Sequence, residues 1–271
     1  MKKLLTTVAL SIGAVSSAFA GPYILAGTDA DDHGSATATT NVDGWLFMQR
    51  ALENLAQAPS LTNTSKNVAI LGSTGSAQTA ALSAFNKSSL ATSGWTVSVI
   101  STGDFANFFA TGLGTTSILM MDSGNNVGGG VSGSQFTAYA TDIDSFLGAG
   151  GGLFSQANGY QWLSALLPSV NVVGSSSTGL ELTAAGNAAF PGLTNSDLSA
   201  GPWHNYFTGT GSIPVLAVDD ADNSGPDGVA VIIGAAGGSI TEPGDPNQIP
   251  EPGTLALLGI AMAGVFLRRR R

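Results

Sequence analysis

Along the chain, short apolar runs alternate with segments whose apolar residues recur at helical spacing. Tyr23 to Ala26 predicts a short buried strand, followed by the polar loop Gly27 to Gly34. Asp43 stands where it would cap a helix carrying Trp45, Met48, Leu52 and Leu55 on one face. Val68 to Leu71 predicts a strand ending at Gly72-Ser73-Thr74-Gly75, a helix spans Ala77 to Leu90, and Thr96 to Ile100 is the next strand. Ser117 to Met121 is a further apolar strand, ending at Asp122-Ser123-Gly124. Phe136, Tyr139, Ile143 and Phe146 line a helix that stops at Gly148, Gly151 to Phe154 re-enters the sheet, and Tyr160 to Leu166 reads as helical. Pro214 to Val218 and Val229 to Ile233 are two strands joined by an acidic loop.

This alternation, with short connections, argues for an α/β doubly wound domain with a mostly parallel sheet covered by helices on both faces. The last two strands are expected as an antiparallel hairpin at one edge. In such sheets the functional loops gather at the carboxyl ends of the strands. Residues 241–249, rich in proline, read as a linker behind a domain of residues 21–240.

Composition narrows the function. From Gly21 to Pro250 there are 17 acidic residues and three basic ones, Arg50, Lys66 and Lys87, a net charge of −14. Nucleic acid and anionic membrane surfaces, which require a basic patch, are excluded as partners. There are no cysteines, which removes both disulfide stabilisation and thiolate chemistry.

The two ends are patterned for export. Lys2 and Lys3, the apolar run Leu4 to Val15, and Ala18-Phe19-Ala20 before Gly21 form a secretory signal peptide over residues 1–20. At the other end, Ile249-Pro250-Glu251-Pro252-Gly253 precedes an apolar stretch, Thr254 to Leu267, and then Arg268, Arg269, Arg270 and Arg271. As a helix that stretch would rise about 21 Å, a marginal transmembrane span, with the arginines stopping it at the cytoplasmic headgroups. Together, residues 250–271 resemble the PEP-CTERM sorting tail. The resemblance implies that Pro250, Glu251 and Pro252 are read by an exosortase, a membrane cysteine protease-transpeptidase. It also implies a Gram-negative host making extracellular polysaccharide. The protein would pass through signal peptidase and the inner membrane to the outer surface or the exopolysaccharide matrix of a biofilm.

A second resemblance lies inside the domain. The segment Gly150-Gly151-Gly152-Leu153-Phe154-Ser155-Gln156-Ala157-Asn158-Gly159-Tyr160-Gln161-Trp162-Leu163 resembles the nucleophile elbow of class I glutamine amidotransferase-like domains. Matching Gly159 and Gln161 to the C-x-G-x-Q pattern places Ala157 where the catalytic cysteine belongs. Ile118 to Gly124 resembles the strand and turn that supply the oxyanion hole. Alanine has no heteroatom to attack a carbonyl, so the resemblance implies an inherited scaffold without its chemistry.

Three polar clusters remain. Asp29, Asp31, Asp32 and His33 follow the first strand; they are either a solvated, helix-capping loop or a metal and acid-base group. His204 lies among Trp203, Tyr206 and Phe207, either as a structural histidine or as a residue of the same cleft. Ser123 would share that cleft beside Ala157. Asp220, Asp222, Ser224 and Asp227 follow the start of a calcium loop but lack its final glutamate, Val231 standing there. A plain Asp/Gly hairpin turn is the other reading. The sequence thus favours an exported, non-enzymatic binding or structural module without an obligate cofactor. The rival is a metal-dependent hydrolase built on Asp31, Asp32, His33 and His204.

Overall fold

The computed structural model describes residues 21–123, 128–157, 159–220 and 226–234. These fall in one compact unit. Residues 1–20, the linker and the sorting tail lie outside the described residues, and with them the expected signal peptide, transmembrane helix, Pro250-Glu251-Pro252 motif and arginine cluster.

The strands are β1 (Tyr23–Ala26), β2 (Gly34–Ala36), β3 (Asn41–Asp43), β4 (Asn67–Leu71), β5 (Thr96–Ile100), β6 (Ile118–Met121) and β7 (Gly152–Ser155). They are followed by β8 (Asn171–Thr178), β9 (Leu180–Leu182), β10 (Pro202–Thr208), β11 (Val215–Asp219) and β12 (Ala230–Gly234). The two main helices on one face of the sheet are α1 (Gly44–Gln57) and α2 (Gly75–Asn86). Apart from the small hairpin of β2 and β3, the strands form a 10-stranded mixed sheet in the order β5-β4-β6-β7-β1-β12-β10-β8, with β11 on β12 and β9 on β11. The run β5-β4-β6-β7-β1 is parallel. Every later pairing is antiparallel.

The inner strands β4, β6, β7 and β1 of the parallel run are covered on both faces, which is why they read as short apolar segments, while β5 at the edge is only partly buried. Ile24, Val68, Ile70, Ile118, Met120 and Phe154 point to one face, where Phe47, Met48, Leu52 and Leu55 of α1 and the alanine stripe of α2 pack. Phe47 meets Phe154 and Phe190 edge-on, with ring centroids 5.7 and 5.3 Å apart. Their neighbours along the strands, Leu25, Leu71, Leu119 and Leu153, point to the other face against Ile143, Phe146 and Leu147 of the helix Ala140–Gly148.

Several expectations are corrected. Asp43 precedes α1 with a φ of 55° and makes no side-chain cap, and Trp45 is only half-buried, its indole N–H donating to the Asp31 carbonyl at 2.9 Å. The helix expected over Ala77 to Leu90 ends at Asn86 and resumes as a single turn, Ser89–Thr92, because the Ser88 hydroxyl caps the new start. Tyr160 to Leu166 is not an α-helix; only the 3₁₀ turn Leu163–Ala165 forms there. The strands β11 and β12 do pair antiparallel, but not at the margin of the sheet: β12 also pairs with β1 and β10. The strands β8, β9 and β10 were not anticipated.

At the end of β1 the chain changes partner. Gly27 donates its N–H to Val231 at 2.8 Å, while its carbonyl accepts from His204 at 2.7 Å and Asn205 at 3.2 Å. A Cβ on Gly27 would lie 1.7 Å from the Asn205 carbonyl oxygen, so only glycine lets β10 approach. Trp203, fully buried, ties β10 to β11 by donating its indole N–H to Asp219 at 2.8 Å.

Candidate functional site

The chain leaves β4 through α2 to β5 on one side, then returns to β6 on the other side of β4. Open α/β sheets bind ligands at the carboxyl ends of their parallel strands, near such a reversal. A cleft of about 360 Å³ lies at the carboxyl ends of β4 and β5, walled by Ser73, Thr74 and Gln78, by Val99, Ser101 and Thr102, and, from the segment that follows β6, by Val131 and Gln135. Its polar groups are hydroxyls, amides and glycine backbone, with no charged side chain in the lining.

The floor of the crevice is a buried network. Asp122, with no solvent exposure, accepts hydrogen bonds from the Ser73 hydroxyl and, at 3.2 Å, from the Gln156 amide. The other end of the Gln156 amide accepts the Ala30 N–H at 3.1 Å. Burial pushes the Asp122 carboxyl up, and the hydrogen bonds from Ser73 and Gln156 partly offset it. Asp31, 2% exposed, is raised further, first by burial and then by the charge of Asp122, so it holds its proton at neutral pH.

Beside this network, tertiary folding brings His33 and His204 onto one carboxylate. Asp29 is buried; its Oδ2 lies 2.9 Å from His204 Nε2 and 3.4 Å from His33 Nε2. The bond to Asp29 raises the His204 pKa, and burial opposes it. Gly201 permits the packing, since a Cβ there would fall 2.0 Å from the His33 ring. Asp32 stays partly exposed at the rim, where its charge helps raise both Asp31 and His204. Among the described residues, no group of three or more histidine, aspartate or glutamate side chains has the arrangement of a metal site.

The remaining expected site residues lie elsewhere. Ser123 is fully buried, its hydroxyl donating to the Ala157 carbonyl at 3.0 Å, and does not line the cleft. Ala157 is fully buried too and lacks the positive φ of a strained elbow; positive values fall instead on Gly159 and Tyr160. With no α-helix following β7, the elbow is not formed among the described residues. Tyr160 closes this loop instead: its hydroxyl accepts the Ala26 N–H at 3.0 Å and lies 2.7 Å from the Ala26 carbonyl. In the acidic loop Asp220 is half-buried and Asp227 exposed, while Asp222 and Ser224 lie outside the described residues. Gln78, Thr102, Gln135 and Gln156 were missed by sequence reasoning. Position after a strand bordering the reversal was the available signal for Ser73 and Asp122.

Residues 248–271 match the PEP-CTERM protein-sorting motif. The chain is therefore an exported substrate of exosortase sorting. No curated protein and no solved structure matches the chain.

Proposed function

We propose that the exported domain is a non-catalytic binding module, delivered by its sorting tail to the outer surface or the exopolysaccharide matrix, with its ligand seated in the cleft at the carboxyl ends of β4 and β5. The observation that carries this reading is the neutral, hydrogen-bonding wall of that cleft at the carboxyl ends of two parallel strands. Nearby, Asp122 is held by Ser73 and Gln156 and Asp29 by His204, and there is no cysteine to supply a thiol nucleophile. Hydrogen exchange on the processed protein, with and without matrix material from the secreting cells, tests the reading. Protection of residues 72–78 and 128–135 is expected; unchanged exchange there would sink it.

A second reading has one observation in its favour, the His204–Asp29 hydrogen bond of 2.9 Å. A histidine oriented by a carboxylate is a general base, and a hydrolase working through Asp31, Asp32, His33 and His204, with or without a divalent metal, would use it. Ester or phosphoester hydrolysis that disappears in His204→Ala, and is restored by no binding-cleft variant, would favour this reading over the binding module.

A further inference from the structure

We infer that the crevice at the carboxyl ends of β4 and β5 takes a neutral, hydroxyl-rich ligand, a small sugar, and rejects anions such as phosphate; this rests on the reading of that crevice as the binding site. A strand, a glycine-containing turn Gly72-Ser73-Thr74-Gly75 and a helix start would ordinarily suit a phosphate, because the first N–H groups of a helix point outward with a partial positive charge. Here that position is already filled by backbone. The Gly129 carbonyl accepts the Thr74 N–H at 2.9 Å and the Thr74 hydroxyl at 3.2 Å, and the Gly128 carbonyl accepts the Ala77 N–H at 3.3 Å. Two carbonyl oxygens thus stand where a phosphate would sit.

The charges around the crevice repel an anion as well. The Ser101 hydroxyl at the rim donates to Asp104 at 2.6 Å, and Asp122 lies directly beneath Ser73. No lysine or arginine lines the cleft. What the walls do offer is paired hydrogen-bonding capacity. Among the described residues the side chains of Gln78, Thr102 and Gln135 have no hydrogen-bond partner. Each amide presents a donor and an acceptor, and the hydroxyl both at once, which is the complement of a sugar's adjacent hydroxyls. A cleft of about 360 Å³ is in the range of small-ligand sites.

The test is an amide-resonance titration of the ¹⁵N-labelled processed protein. D-Glucose, D-galactose, maltose and cellobiose are the neutral probes; D-glucuronate and inorganic phosphate are the anionic ones. Saturable shifts at Gly72 to Gln78 and Gly129 to Gln135 are expected with at least one neutral sugar and with neither anion. The double variant Gln78→Ala/Gln135→Ala should weaken that binding about tenfold, the loss of one to two hydrogen bonds. Saturation of the crevice by phosphate or glucuronate with the neutral sugars silent would overturn the ligand class and leave the site standing. Silence from every probe at these residues, or shifts confined to another face, would overturn the ligand class and the choice of crevice together.

Discussion

Two neighbouring corners of the same sheet edge use polar residues in opposite ways. At the ends of β1 and β7, Asp29, Asp31, Gln156 and Tyr160 turn inward and bond to one another's elements, so that polar chemistry serves as packing. At the ends of β4 and β5, Gln78, Thr102 and Gln135 face into an open cleft, with Ser73 and Asp122 buried beneath. The first corner carries most of the titratable groups, and the second carries the space. What separates the corners is room, about 10 Å³ beside Asp29 and His33 against about 360 Å³ at Gln78 and Gln135, although Asp29 Oδ1 in the first corner has no hydrogen-bond partner among the described residues.

The sharpest way to break this contrast is at Gly27. A Cβ there collides with backbone, so Gly27→Ala should cost about 3 kcal/mol, measured by urea unfolding, because β10 must move away from β1. A loss under about 1 kcal/mol would show that the first corner is less rigid than described.

The next effect is a dependence on pH. Burial, and then Asp122, hold the Asp31 carboxyl above its ordinary 3.8 in the folded protein. The folded state therefore keeps a proton that the unfolded chain releases, so stability falls as pH rises above the ordinary carboxylate range, by up to about 1.4 kcal/mol per pH unit. Asp31→Asn should flatten that slope between about pH 4 and about pH 9. An unaltered slope would place the proton elsewhere.

A smaller effect of the same sign comes from His204. Its bond to Asp29 raises its pKa above 6.5, so its contribution is fully present below that value and is lost as pH rises through the raised one. With the ring partly exposed, the contribution is about 1 kcal/mol or less. An NMR titration should find His204 above 6.5 in the native protein and lowered by Asp29→Asn. The smallest effect belongs to the second corner: Gln78→Ala and Gln135→Ala should each change stability by less than about 0.5 kcal/mol, since neither side chain bonds to the protein. A larger loss would mean that the cleft wall is structural.

The parallel strands β1, β4, β6 and β7 were readable because they are buried on both faces and so appear as short apolar runs, while β5 at the edge, only partly buried, showed through Val97, Val99 and Ile100. The strand β8 escaped notice because it is an edge strand of glycine, serine and threonine, largely exposed, whose pairing with β10 supplies what its side chains do not. Tyr160 to Leu166 carries helical spacing, yet the Tyr160 hydroxyl, bound across β1 and β7, holds that residue at a φ of 53° and the apolar residues after it pack from a 3₁₀ turn.

The sequence by itself determined the sorting tail, the absence of thiol chemistry, the acidic character and the parallel strands, because each depends on residue type or on spacing along a few turns of chain. Only the tertiary structure decided which polar groups meet. His204 reaches Asp29 across 175 positions, and Ser73 reaches Asp122 across 49. The crevice is walled by the ends of β4 and β5 and by residues that follow β6, and that meeting is set by strand order, which depends on which apolar faces pack together rather than on any residue at the crevice itself.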